Sequence, residues 1–178
     1  MRTALIIVDM QQGSFTPETP RHDSDAVIER LNALAARTRA AGGLVVHVQH
    51  AGPPGDAHHP SAPGWAFLPS LDVAADDLVV AKTCCDGFLD TALQEVLQRA
   101  GITRLVIGGC ATDFCVDTTI RSALARRYVT LVPADGHTTS DRPYLTAAKI
   151  IEHHNAVWAG FISPVGPALV APSVAIEI

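Results

Sequence analysis

Short runs of branched aliphatic residues recur along the chain, and each interval between them holds a stretch whose apolar residues fall three and four apart. Five runs read as buried strands: Ala4 to Val8, Leu44 to Gln49, Leu78 to Ala81, Arg104 to Ile107 and Tyr128 to Val132. Near-continuous Val, Ile and Leu is what a strand covered on both faces requires. Between them, Val27, Ile28, Leu31, Leu34 and Ala35 form one helical stripe, and Leu89, Leu93, Val96 and Leu97 form a second that Gly101 stops. Val116, Ile120, Ala123 and Leu124 mark a third helix, and Ala147, Ile150, Ile151 and His154 a fourth that begins near Pro143. Val157 to Ile162 reads as a sixth strand. Strand alternating with helix forces crossover connections. The expected architecture is therefore a three-layer α/β/α sandwich around a mainly parallel, six-stranded, Rossmann-like sheet.

The 178 residues suit one domain, 1–178, with a substantial core. A net charge of −5 argues against nucleic acid, whose phosphates call for clustered Lys and Arg. No apolar run is long enough to span a membrane, and the N-terminus lacks the charged region and apolar core of a signal peptide, so a cytoplasmic protein is expected. Cys84, Cys85, Cys110 and Cys115 form neither a C-x-x-C pair nor a disulfide framework and read as reduced thiols. Residues 51–67, polar and Pro-rich, form a loop placed to cover an active site. Residues 160–178 alternate Pro with Val165, Leu169, Val170, Val174 and Ile176, which points to a subunit interface and a homodimer or higher homo-oligomer. No G-x-G-x-x-G or P-loop pattern supports a nucleotide site, and no cofactor is expected.

In parallel sheets ligands sit beyond the carboxyl ends of the strands. Three reactive side chains fall there: Asp9 after the first strand, Lys82 after the third, and Cys115 after the fourth and a short turn. Singly, each has an ordinary explanation, as a cap, a solvated lysine or a small buried hydrophobe. Together they make a coherent set. A carboxylate can take the thiol proton while an ammonium beside both stabilises negative charge. Cys115 is expected to open the third helix, whose dipole would depress its pKa.

The segments Ala4-Leu-Ile-Ile-Val-Asp-Met-Gln11, Val80-Ala-Lys82 and Gly108-Gly-Cys-Ala-Thr-Asp-Phe-Cys-Val-Asp-Thr118, followed by Asp135-Gly-His-Thr-Thr139, resemble the signature blocks of the isochorismatase-like cysteine hydrolases in order and spacing. The resemblance implies Cys115 as nucleophile, Asp9 as general base and Lys82 as cationic partner. It also implies a cis peptide between Cys110 and Ala111, with an oxyanion hole from the N–H groups of Ala111 and Cys115. Family activities include nicotinamidase, carbamoyl-type amidase and streptothricin-type hydrolase. Vinyl-ether-cleaving isochorismatases need no cysteine nucleophile, so Cys115 favours hydrolysis of a small amide or related carbonyl compound through a thioester.

Phe15, Trp65, Phe88 and Phe114 are candidates for apolar pocket walls, against the alternative of ordinary packing, and His137 for a pocket residue. Thr112 or Asp113 is expected to cap the helix after the turn. Nicotinamidase-like relatives carry a metal motif after the second strand. Here that place reads His47-Val-Gln-His-Ala51, with Asp56, His58 and His59 off the expected spacing, so no metal is assigned to the His50, Asp56, His58 and His59 region. Cys84 and Cys85 read as packing, and His153 and His154 as helix surface. Two rivals remain. A receiver-like switch also uses strand-end Asp and Lys, but it needs an acidic Mg²⁺ cluster, and here the middle strands end in Lys82 and a Gly-Cys segment. A non-catalytic binding protein of the same fold would show no reactive Cys115.

Overall fold

In the computed structural model, which describes residues 1–178, the aliphatic runs form strands β1 (Thr3–Val8), β2 (Leu44–His50), β3 (Leu78–Lys82), β4 (Arg104–Cys110) and β5 (Val129–Pro133). The two-residue β6 (His137–Thr138) and β7 (Leu169–Ala171) complete the sheet. Its order is β3-β2-β1-β4-β5-β7, every pairing is parallel, and β6 joins the end of β4. Helices α1 (Ser24–Ala40), α2 (Leu93–Arg99), α3 (Asp117–Ala125) and α4 (Ala147–Ala159) connect the strands.

The two-residue period of β1 explains the layers. Ala4, Ile6 and Val8 point into a core shared with Leu93 and Leu97 of α2, Ile120, Ala123 and Leu124 of α3, and Trp158 of α4. Leu5 and Ile7 point the other way, into a core with Val27, Ile28, Leu31, Leu34 and Ala35 of α1. Burying each of the larger aliphatic side chains contributes about 1.5–3 kcal/mol, so both faces of β1 anchor the molecule. No helix is long and apolar enough to cross a membrane.

Several expectations change. Val157 to Ile162 is not a strand: α4 runs to Ala159 and Gly160 ends it, with Ile150, His154 and Trp158 spaced by four on one side. Short apolar runs fit both periods, and the buried Trp158 settles this one as helix. The sixth long-range strand is β7, from within the tail, where Ala168 and Ile176 enter the chain's own cores, while Leu169 and Val174 stay exposed. Leu89 lies outside α2 and is exposed. α4 begins not at Pro143 but after Thr146, whose hydroxyl accepts from the Lys149 N–H.

Strands are added on one side of β1 up to β3, and the chain then returns to place β4 on the other side. The crevice where the order reverses lies beyond the ends of β1 and β4. Over its rim runs the 51–67 loop, which contains a single helical turn, Pro63–Trp65. The fully buried Gln11 amide holds it, donating to the carbonyls of His50 (3.1 Å) and Trp65 (3.0 Å), while its own oxygen accepts from the His50 N–H. Gln49 donates to the same Trp65 carbonyl at 2.8 Å.

Candidate active site

Asp9 leaves β1 in a left-handed conformation, φ 48°, rare for a residue with a Cβ. Lys82 is the last residue of β3 and passes across the end of β2 toward it. The ammonium lies 2.6 Å from Asp9 Oδ2 and donates to Cys115 Sγ at 3.3 Å and to the Cys84 carbonyl at 3.0 Å, which uses all three of its protons. Lys82 is 2% exposed and Asp9 4%. Burial alone would lower the Lys82 pKa, but the Asp9 charge, with the Cys115 sulfur as a second acceptor, outweighs it and holds the pKa above the ordinary lysine range. Asp9 Oδ1 is buried without a hydrogen-bond partner.

Cys115 does not open α3. It sits in a wide helical turn, Thr112–Val116, that leads into it. Burial, reinforced by the neighbouring Asp9 charge, pushes its thiol pKa up, and Lys82 offsets only part of this. The expectation of a pKa depressed by the helix dipole is not met: Cys115 lies ahead of the start of α3, and desolvation beside a carboxylate raises the thiol instead. The Cys110–Ala111 peptide bond is cis. Neither Thr112 nor Asp113 caps a helix. Thr112 Oγ1 is 2.9 Å from His137 Nδ1, and Asp113 is held by Arg142 at 2.8 Å and by the Thr139 hydroxyl at 2.6 Å.

Above Cys115 opens a cavity of about 510 Å³ lined by Asp9, Ser14, Arg21, His50, His58, Thr83, Cys84, Cys85, Cys110, Ala111, Phe114 and Cys115. Of the aromatic candidates only Phe114 lines it. The residue is 53% exposed, with its ring under the Arg142 guanidinium. Phe88 is core, stacked on Tyr128, and Phe15 packs against the α1 core. Trp65 meets the crevice region through its carbonyl, which fixes the loop, and is not in the cavity wall. His137 is 1% exposed and wedged between Thr112 and Asn155, so it supports the turn from behind.

Sequence reasoning missed Arg21, Ser14, Cys84 and Cys85 as cavity residues. The two cysteines follow Lys82 at a strand end, which was an available signal, whereas Arg21 and Ser14 lie in an irregular segment with no period to place them. His58 Nε2 is 2.9 Å from Ser14 Oγ and its Nδ1 is 3.2 Å from Asp56 Oδ1, while His59 turns to Ser61. No three His, Cys, Asp or Glu side chains are arranged to hold a metal ion.

Residues 3–158 match the family model described as the isochorismatase domain. A streptothricin hydrolase of Streptomyces noursei is 39% identical over 140 residues, which cover 79% of this chain and 56% of that protein. The chain thus spans about half the length of the streptothricin hydrolases it matches. The ureidoacrylate amidohydrolase RutB of Methylorubrum extorquens is 31% identical over 179 residues, covering 80% of this chain and 72% of that one. A crystal structure of an isochorismatase family protein superposes with a TM-score of 0.87 at 31% identity, covering 95% of this chain and 97% of the other. On the match over residues 3–158 and the shared fold, the chain belongs to the isochorismatase family.

Proposed function

We propose that this protein is a cysteine-dependent hydrolase that cleaves an amide or related carbon–nitrogen bond of a small molecule through a thioester on Cys115. The observation that carries this reading is the Lys82 ammonium bridging Asp9 and the Cys115 sulfur at the floor of a cavity. Similarity to a streptothricin hydrolase and an amidohydrolase supports it.

The resting thiol keeps its proton, so deprotonation is coupled to attack: Asp9 accepts the Sγ proton as Sγ bonds to the substrate carbonyl carbon. The N–H groups of Ala111 and Cys115 take the developing oxyanion, a role in which one donor contributes about 3 kcal/mol. Asp9 then passes the proton to the leaving nitrogen, and the amine or ammonia departs from a Cys115 thioester. Asp9 next takes a proton from water as it attacks the thioester, and returns that proton to the departing Sγ, which releases the acid and restores the thiol and the carboxylate. Lys82 keeps its charge throughout, holding Asp9 in place and facing the sulfur. Incubating the protein with a panel of small amides and carbamoyl compounds tests this by ammonia or amine release. Turnover of at least one compound that disappears in Cys115→Ala supports the reading, and turnover that survives in Cys115→Ala overturns it.

A further inference from the structure

The charges lining the cavity do not cancel. Asp9 is matched by Lys82 at 2.6 Å, and the other charged lining residue is Arg21, in the segment between β1 and α1. Arg21 is half-buried and meets only neutral acceptors: Nε donates to the Ser14 carbonyl at 2.6 Å and Nη1 to the Ser140 hydroxyl at 2.9 Å. Neighbouring Arg142, by contrast, is spent on Asp113, with two of its nitrogens within 3.0 Å of the carboxylate. The two Arg21 bonds fix the guanidinium plane, and neither uses Nη2. Its field reaches the cavity floor. Burial pushes the Cys110 thiol up to about 12, and Arg21 is the strongest of the charges acting against that. His50, whose pKa burial lowers, adds no competing positive charge at neutral pH. Asp56 is turned to His58, accepting from its N–H at 2.7 Å, and lies outside the cavity wall.

A fixed, unpaired guanidinium in a concave site is suited to a planar anion, which it can take through parallel N–H donors. We propose that Arg21 determines the specificity of the Cys115 site and that the substrate carries a carboxylate besides the carbonyl that is attacked. The nature of that bond rests on the hydrolase reading above; the anion preference does not.

The test uses a matched pair of thiol reagents, iodoacetate and iodoacetamide, with alkylation of Cys115 followed by peptide mass mapping. In both, the thiol loses its proton to solvent as Sγ displaces iodide, and only the charge of the reagent differs. Relative to the ratio for a small free thiol, the iodoacetate-to-iodoacetamide rate ratio at Cys115 is expected to be raised about tenfold, the size of one charge-assisted hydrogen bond. It should fall as salt is added, return to the free-thiol value in Arg21→Gln, and stay raised in Arg21→Lys. A ratio in the wild type equal to that of the free thiol, or one that Arg21→Gln leaves raised, overturns the proposal; the wild-type and salt measurements hold even where a variant fails to fold. Hydrolysis of a carbamoyl amino acid against its methyl ester separates the two readings. A raised alkylation ratio with no turnover anywhere in the panel of amides and carbamoyl compounds sinks the hydrolase assignment alone, and turnover that favours the ester sinks the role of Arg21.

Discussion

Replacing Lys82 by Met isolates what its charge contributes. The two side chains are similar in length and shape, so the core around the ammonium is largely kept. What goes is a cation with three acceptors: Asp9 Oδ2, Cys115 Sγ and the Cys84 carbonyl. Asp9 is then a carboxylate 4% exposed, with Oδ1 already lacking a partner. Removing one member of a buried ion pair costs about 3–5 kcal/mol, because the remaining charge is stranded rather than because the pair itself was strong. That is a large part of the stability of an ordinary domain, about 5–15 kcal/mol. If the stranded charge is the cause, neutralising it should recover the loss. Asp9→Asn combined with Lys82→Met should regain most of the stability, with a coupling energy of at least about 2 kcal/mol. Urea denaturation of the wild type, both single variants and the double variant at neutral pH closes the cycle. A Lys82→Met protein within about 1 kcal/mol of wild type, or two changes that simply add, would mean that Asp9 is not stranded by the loss of the ammonium.

Two buried groups make pH predictions. His137 is held neutral, its pKa lowered by burial to about 4. As pH falls below about 6.5 the unfolded chain takes up that proton first, so stability present above 6.5 is lost down to about 4, by up to about 3 kcal/mol. His137→Gln should flatten this part of an acid denaturation series, and an unchanged slope counts against it. Cys110 runs the other way, with burial raising its thiol to about 12. Above the unfolded value of about 8.5 the folded state holds the extra proton, so stability should fall by up to about 1.4 kcal/mol per pH unit. The stability gap between wild type and Cys110→Ala, measured by denaturation on both sides of that value, should shift in favour of the variant as pH rises. A constant gap removes the argument.

What could be read from sequence follows from what carries a period. β1, β2 and β4 are buried along almost their whole length, and α1 buries the five stripe residues together with Thr38, so the layers and the positions of Asp9 and Cys115 beyond the strands were legible. β3, read as a covered strand, is an edge strand with Leu78 and Val79 exposed, yet its aliphatic run still placed Lys82 at its end. β7 was not, because three residues between prolines have no period to detect, and the apolar residues before them belonged to α4. The cavity wall was the least legible part. An aromatic side chain reads alike whether it is core, as Phe88 is, or rim, as Phe114 is. Arg21 reaches the site from an irregular segment through bonds to Ser14 and Ser140, the second distant in sequence, and only the fold brings these together.

In the proposed reaction Cys115 carries the covalent intermediate. Rapid-quench intact-mass measurement during turnover of a small amide, with peptide mapping, tests it directly. An acyl adduct is expected to appear at the rate of amine release, to map to Cys115 and to be absent from a folded Cys115→Ala variant that no longer turns over. Hydrolysis that continues in that variant, or an adduct that maps to Cys84, Cys85 or Cys110 instead, would contradict it.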